Sequence, residues 1–230
     1  MKTLNLLLIF SALFLPTFAS ASIFTKFTKT DSIHVTSSQI KAIEAQAPDL
    51  NPTALQAAIK PYEKARAQGM DPQQILTVVD FSKPSTQQRF YVIDFKNNKV
   101  LFNTWVAHGK NSGANYATKF SNASGSNESS LGLYQTAQPY HGNDGYDLTL
   151  KGLTPGYNTN AESRAVIVHG AAYVSPQIAK SHDRIGRSWG CFALDKNVVK
   201  PVINTIKNGS LIFAYAPVPS FLNSSAYMTV

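Results

Sequence analysis

AVIVHG at residues 165–170 and SHDRIGRSWGCFAL at residues 181–194 are the two segments from which we predict the fold and chemistry of this chain. The first is an apolar run ending in His169, the pattern of a buried strand that carries a histidine at its end. In the second, Gly190 precedes Cys191, so the sulfur can be presented at an open turn. A nearby imidazole lowers the pKa of a thiol and favours the thiolate. The segments predict a His169–Cys191 dyad; the alternative is a core histidine and a packed cysteine.

The sequence on either side of these segments predicts a mainly β fold with flanking helices (α+β). A helix is expected over 195–207, and the Ala- and Gln-rich segment 22–69 is typical of a helical region, with Asn51-Pro52 as a helix start. The predicted strands are 75–81, 89–95, 100–107, 131–136, 146–150, 165–169 and 210–216.

Residues 111–130 interrupt this pattern, because 12 of the 20 are Asn, Ser or Gly. Such a composition buries little surface, and the segment is longer than a structural connection usually needs. We therefore expect a mobile loop that serves as a lid over an acyl-enzyme. An insert without function is the alternative.

The N-terminus has the pattern of an export signal. Lys2 precedes an apolar run over residues 4–15, and the small residues Ala19 and Ala21 follow it. This run is about 12 residues long, shorter than the ~20 that span a bilayer, so we expect cleavage after Ala21 and no transmembrane anchor. The expected organisation is a signal peptide over 1–21, a helical N-terminal region over 22–72, a catalytic domain over 73–217 and a C-terminal tail over 218–230.

The order of the two reactive residues narrows the choice of family. His169 precedes Cys191 by 22 residues, which excludes papain-like and NlpC-type peptidases, where the cysteine comes first. The arrangement resembles the L,D-transpeptidases of the YkuD superfamily, whose signature is His-Gly, a spacer and Ser-His-Gly-Cys; Trp189 stands here where the larger family usually has the second histidine. The matching residues here are HG at 169–170 and SWGCFAL at 188–194, and the SLGLY run at 130–134 resembles the family's strand entry.

This resemblance implies a YkuD-like β-sandwich or barrel and acyl transfer on the stem peptides of peptidoglycan. Cys191 would attack a carbonyl between the L-centre of a diamino acid and a D-residue. His169 would take the thiol proton and return it to the leaving amine. Backbone N–H groups around Gly190 and Cys191 would bind the oxyanion, and Ser188 would either shape the turn or orient His169 through its carbonyl.

Four further residues are candidates for contacts with the substrate; the alternatives are a fold-stabilising arginine and aromatic rings that belong to the core. The glycine after the catalytic histidine, Gly170, allows a close approach. The Arg187 guanidinium matches the carboxylates of stem peptides, and the aromatic rings of Trp189 and Tyr134 would line the cleft. His108, in HGKNSG at the end of a predicted strand, is a further candidate for a place near the cleft.

The partners follow from this chemistry, and some alternatives stay open. An amine acceptor from a second stem or a protein would give transpeptidation, whereas water would give an L,D-carboxypeptidase or endopeptidase. We expect a monomer, no cofactor and no nucleic-acid partner, although the formal charge is 21 − 13 = +8. The rival hypotheses are a zinc hydrolase using His169, His182 and Cys191, and a non-catalytic envelope-binding module.

Overall fold

The computed structural model describes residues 34–142 and 145–228. The predicted signal peptide, residues 1–21, and residues 22–33 of the predicted helical region lie outside the described residues. The N-terminal helices and the sheet belong to one compact unit. Within the described ranges, no helix combines the length and the apolar character needed to cross a bilayer.

The described residues form nine strands and five α-helices. The helices are α1 (Ser37–Gln46), α2 (Pro52–Ala67), α3 (Pro176–Ser181), α4 (Lys196–Ile206) and α5 (Pro219–Leu222), followed by a 3₁₀ turn over Ser225–Met228. The strands are β1 (Ile75–Asp80), β2 (Phe90–Asp94), β3 (Lys99–Thr104), β4 (Val106–Ala107), β5 (Gly132–Gly142), β6 (Gly145–Gly152), β7 (Ile167–Ala171), β8 (Phe192–Asp195) and β9 (Leu211–Tyr215).

The strands form one mixed sheet in the order β3-β2-β1-β9-β5-β6-β7-β8-β4. Its two edge strands, β3 and β4, are separated in the chain only by Trp105, so the sheet must curl until its edges approach. Arg89 lies at this closure. Its backbone N–H donates to the Thr104 carbonyl at 3.0 Å, and its Nε and Nη2 donate to the Val106 carbonyl at 3.1 and 2.9 Å. The predicted mainly β, barrel-like fold with flanking helices is confirmed.

The two N-terminal helices begin at side-chain caps and cover the sheet. Thr36 forms a capping box at the start of α1, and Asn51 caps α2. The buried face of α2, which includes Leu55, Ile59 and Tyr62, packs against β1 and β9. Burial of this face ties the predicted helical region to the same hydrophobic core as the strands.

The segment expected as a C-terminal tail, residues 218–230, contains α5 and the 3₁₀ turn in its described part, and Phe221 and Tyr227 of this segment contact Phe213 of β9. Pro61 lies inside α2 and has no N–H, so the Ala57 carbonyl one turn earlier lacks its helical donor. The Tyr227 hydroxyl donates to that carbonyl. Phe221 is fully buried among other aromatic rings, and this contact could not be read from the local sequence.

The site is built on the neighbouring strands β7 and β8, which are parallel. His169 on β7 lies opposite Ala193 on β8, and the connection between the strands includes α3. The predicted helix over 195–207 is confirmed as α4, which Asp195 caps. The strand β8 was not predicted, and the hairpin of β5 and β6 extends further than expected because its outer part is exposed and lacks an apolar repeat.

A buried carboxyl lies where α2 leads into β1. Asp71 is fully buried, and neither its carboxylate oxygens nor the Tyr62 hydroxyl has a partner at hydrogen-bond distance and angle. Burial raises the pKa of Asp71 to about 6, although the nearby Ile75 N–H and Tyr62 hydroxyl oppose the rise. Between the free value of 3.8 and about 6, the folded protein therefore holds a proton that the unfolded chain releases.

Asp71→Asn should raise the free energy of unfolding by about 1–3 kcal/mol above pH 6. The folded pKa of this acid is above the value of 3.8 in the free chain, so its contribution is greatest below that value and is lost as the pH rises through about 6. Urea unfolding at pH 4 and pH 8 measures the difference. The exposed Asp183→Asn variant is the control, and an Asp71→Asn variant with the wild-type pH dependence would contradict this account.

Candidate active site

Cys191 lies at the end of a tight turn, residues 188–191, which we call the cysteine turn. The Ser188 hydroxyl accepts a hydrogen bond from the Gly190 N–H at 3.1 Å and donates to the Cys191 carbonyl at 2.7 Å. The Ser188 backbone carbonyl accepts from the Lys110 N–H at 2.8 Å. Of the two roles predicted for Ser188, these hydrogen bonds support shaping of the turn.

The cysteine turn requires glycine at position 190. Gly190 has φ +124°, in the region that other residues rarely adopt, and a Cβ there would lie 2.8 Å from the Glu128 carbonyl oxygen and 3.2 Å from Arg164 Nη2. Its N–H donates to the Ser188 hydroxyl, so binding of an oxyanion by this N–H, which stays a prediction, would have to replace that hydrogen bond. The glycine allows the turn to pack tightly beside the wall of the site.

The thiol of Cys191 is partly exposed and lies against a backbone carbonyl. Its Sγ donates to the Ala165 carbonyl oxygen at 3.5 Å. Ala165 has φ +52° and directly precedes the strand segment that leads to His169. This contact ties the protonated thiol to the segment that leads into β7.

His169 is 6 % exposed and occupies the middle of β7. Its Nδ1 lies 3.3 Å from the Gly170 carbonyl oxygen. We assign the proton to Nδ1, because a carbonyl can only accept, and this makes Nε2 the basic nitrogen. A backbone carbonyl thus takes the orienting role that a carboxylate has in a Ser-His-Asp triad.

A cleft of about 360 Å³ brings these groups together. Five of the predicted site residues line it, and Tyr173 was missed. Tyr173 lies against Gly186, whose missing side chain leaves room for the ring, but no spacing in the sequence identifies this pair. The lining residues are His169, Tyr173, Arg187, Ser188, Trp189 and Cys191.

Two predicted substrate contacts are wrong. Tyr134 is fully buried, and its hydroxyl is hydrogen-bonded to Ser130. Its ring contacts the Phe192 ring edge-on, so Tyr134 belongs to the core. Burial raises the pKa of Tyr134 to about 12. Gly170 is buried against α4, and a Cβ there would lie 2.9 Å from Val199 Cγ1. Its small size serves the packing of helix on strand and not the approach of a ligand.

The rim of the cleft is cationic and aromatic. Arg187 Nη1 donates to the carbonyls of Lys110 and Gly113, both at 3.0 Å. Trp189 is 76 % exposed, and the Lys110 ammonium lies 5.7 Å from the centre of its ring. An exposed tryptophan beside two cations suits an anionic ligand with apolar parts.

The 111–130 loop is anchored, contrary to the expectation of a mobile lid. Arg164 donates to the Ser121 carbonyl at 2.7 Å and to the Glu128 carbonyl at 2.6 Å. Ser112 and Ser129 are fully buried, with the Ser112 hydroxyl accepting from the Ser129 N–H at 2.9 Å. Small polar residues can be buried here because their polar groups are hydrogen-bonded. The amino-acid composition of the loop does not show these hydrogen bonds. Arg164 was also missed by the sequence, since its partners are distant along the chain.

The zinc alternative has no geometric support in the ranges that the structure describes. They hold no group of three or more His, Cys, Asp or Glu side chains that could bind a metal ion. His182 follows α3, is exposed and has its Nδ1 2.7 Å from the Ser181 hydroxyl. It does not line the cleft with His169 and Cys191.

Residues 46–215 match the family model YkuD_2, described as the L,D-transpeptidase catalytic domain. The match covers well over half of the chain, so the chain belongs to this family of L,D-transpeptidase catalytic domains. No curated protein sequence gives a significant match.

The solved structures that the chain is similar to are distant in sequence. An L,D-transpeptidase from Mycobacterium smegmatis is 17 % identical, with a TM-score of 0.38, over 62 % of this chain and 59 % of that one. The helical cell shape determining protein Pgp2 from Campylobacter jejuni is 13 % identical, with a TM-score of 0.40, over 63 % and 48 %. An L,D-transpeptidase from Stackebrandtia nassauensis is 12 % identical, with a TM-score of 0.39, over 78 % and 77 %. The chain thus spans about three fifths of the M. smegmatis protein and about half of Pgp2.

Gly190→Ala should slow alkylation of Cys191 by iodoacetamide at least about tenfold, because the methyl group would push the cysteine turn away from Glu128 and Arg164. Cys191 is the only cysteine, so the modified mass reports this thiol alone. Circular dichroism checks that the variant stays folded.

The matched control is Gly125→Ala. Gly125 also has a positive φ, +73°, but nothing lies within 4 Å of a Cβ there. This control carries the backbone strain without the crowding and should react at the wild-type rate. Equal rates in both variants and the wild type would show that the turn tolerates a side chain.

Proposed function

We propose that this protein is a cysteine-dependent acyltransferase that acts on peptidoglycan stem peptides, an L,D-transpeptidase. The observation that carries the proposal is the shared cleft, in which Cys191 and His169 are held by a turn and a strand of the same rigid sheet. Membership of the family supports the same reaction.

In the proposed first step, His169 Nε2 takes the proton of the Cys191 thiol and the thiolate attacks the carbonyl carbon of the diamino acid's L-centre. The tetrahedral intermediate collapses, the C–N bond breaks, and the amine of the D-residue leaves with the proton from His169. A thioester on Cys191 remains. An acceptor amine then attacks it, gives its proton to His169 and forms the new amide, and the proton returns to the thiolate.

The cleft rim fits the charges of the donor peptide. Arg187 is held by two carbonyls through Nη1, and in the described part of the chain its other guanidinium N–H groups make no hydrogen bond. We propose that they bind a carboxylate of the stem peptide, and that Trp189 covers an apolar part of the stem.

Hydrolysis of the same bond is the second candidate, and partial exposure of Cys191 favours it. Water can reach a thioester formed at an exposed sulfur. The product then is a free carboxylate, as in an L,D-carboxypeptidase or endopeptidase. The choice depends on whether an amine outcompetes water for the thioester.

This function requires the protein to meet peptidoglycan outside the cytoplasm. We propose export through residues 1–21 as a cleavable signal peptide, with the mature protein acting in the periplasm or after secretion as a monomer. The acceptor amine comes from a second stem or from a protein.

Cys191→Ser and His169→Ala should each lower processing of muropeptides at least about 10³-fold without unfolding the protein, because the two side chains act as one unit. The double variant should lose no more than the single variants. Mass spectrometry of purified muropeptides, incubated with and without an added D-amino acid, measures both the activity and the ratio of transfer to hydrolysis.

His182→Ala is the control, since this exposed histidine does not line the cleft. It should keep wild-type activity. A Cys191→Ser variant that still changes muropeptides would show that the thiol is not the nucleophile.

A further inference from the structure

A second histidine, His108, lies behind the cleft and has no part in the proposed reaction. It follows β4, is fully buried and does not line the cleft. Its Nδ1 lies 2.7 Å from Nη2 of Arg89, and its Nε2 lies 3.3 Å from the Gly113 carbonyl oxygen. The ring therefore joins the barrel closure to the start of the 111–130 loop.

The protonation of this histidine follows from its partners. A guanidinium can only donate hydrogen bonds, so Nδ1 of His108 must accept from Arg89, and Nε2 then carries the hydrogen that is donated to Gly113. Burial, followed by the charge of Arg89, lowers the pKa of His108 to about 4, and the ring is neutral at physiological pH. Burial also lowers the pKa of Arg89 to about 9, which leaves it positively charged there.

The Gly113 carbonyl has a second donor, Arg187, whose Nη1 lies 3.0 Å away. Gly113 has φ +150°, and a Cβ there would lie 2.0 Å from the Tyr116 carbonyl oxygen, so only glycine allows this geometry. The carbonyl is thus shared between His108 on its buried side and the arginine of the cleft rim.

His108 also contacts the cysteine turn through its backbone. Its carbonyl accepts from the Ser188 N–H at 3.0 Å. Arg187 is therefore linked to the side chain of this histidine through the shared Gly113 carbonyl, and the next residue, Ser188, is hydrogen-bonded to its main chain.

We propose that His108 is a positioning residue that, through the Gly113 carbonyl, holds the Arg187 guanidinium at the cleft and so makes the surroundings of Cys191 selective for anionic ligands. This inference deepens the proposed function, because the anion in the reaction is a carboxylate of the stem peptide. Its test with thiol reagents does not depend on that function.

Two substitutions separate the hydrogen bonds of His108 from its bulk. His108→Gln offers an oxygen acceptor to Arg89 and an N–H donor to Gly113. His108→Leu fills a similar volume with neither. Arg187→Gln removes the cation that the proposal places at the cleft.

The experiment compares the alkylation of Cys191 by anionic iodoacetate and by neutral iodoacetamide. A change in thiol pKa alters both rates in the same sense, so their ratio reports the positive potential at the sulfur. We expect Arg187→Gln to lower the iodoacetate-to-iodoacetamide ratio about three- to tenfold. His108→Leu should lower it as much, His108→Gln should keep the wild-type ratio, and the His108→Leu/Arg187→Gln double variant should show no further loss.

A folded His108→Leu variant with the wild-type ratio would overturn the proposal, as would a His108→Gln variant that loses as much as His108→Leu. If His108→Leu does not fold, ¹⁵N-histidine NMR of the wild type tests the proposal by showing which ring nitrogen of His108 carries the hydrogen. The His108 signal is assigned as the one that is lost in the His108→Gln variant. The Nε2–H tautomer supports the proposal and the Nδ1–H tautomer overturns it.

Activity provides a separate result. With stem peptides as substrate, His108→Leu should raise KM by a larger factor than it lowers kcat, because the cysteine turn is hydrogen-bonded to the main chain of residue 108 and not to the imidazole. If the wild type shows no activity on peptidoglycan, the proposed function fails, and the alkylation ratios still decide whether His108 positions Arg187.

Discussion

The fold and the site both depend on the buried guanidinium of Arg89 at the point where the sheet closes on itself. No carboxylate in the described ranges forms an ion pair with it, so its charge is stabilised by the carbonyls of Val106 and Lys83 and by the His108 ring. A buried cation must keep all of these acceptors in place. The strand end that carries His108 is fixed by this requirement, and the cysteine turn is hydrogen-bonded to that strand end.

A second constraint is the parallel pairing of β7 with β8. The register of this pair sets His169 opposite Ala193. Because Cys191 lies two residues before Ala193, the same register fixes the position of Cys191 along β7. Ser188 and Gly190 then determine how the turn enters β8. The reacting groups are therefore placed by backbone hydrogen bonds of a sheet, which are stiffer than side-chain contacts on a loop. This stiffness keeps both side chains in the same cleft before substrate arrives.

The sequence predicted that His169 and Cys191 come together, and both line one cleft. The signals for this were local: an apolar run followed by histidine, and a glycine before the cysteine. The sequence failed for Tyr134 and Gly170, since the face that a strand residue presents depends on which element packs against it. Arg164 and Tyr173 left no local signal, because their partners lie elsewhere in the chain. The 111–130 loop was misjudged because burial was inferred from apolar content, whereas hydrogen bonds hold it in place.

The central claim is that Cys191 forms the acyl-enzyme with the help of His169. The most direct measurement is intact-protein mass spectrometry after rapid acid quenching with a tetrapeptide-stem donor, followed by mapping of the modified peptide. The account predicts a mass increase equal to the donor minus its terminal D-residue, located on Cys191, labile to hydroxylamine and greatly slowed in His169→Ala. An adduct on another residue, or turnover of the donor with no acylated cysteine under any quench time, would contradict it.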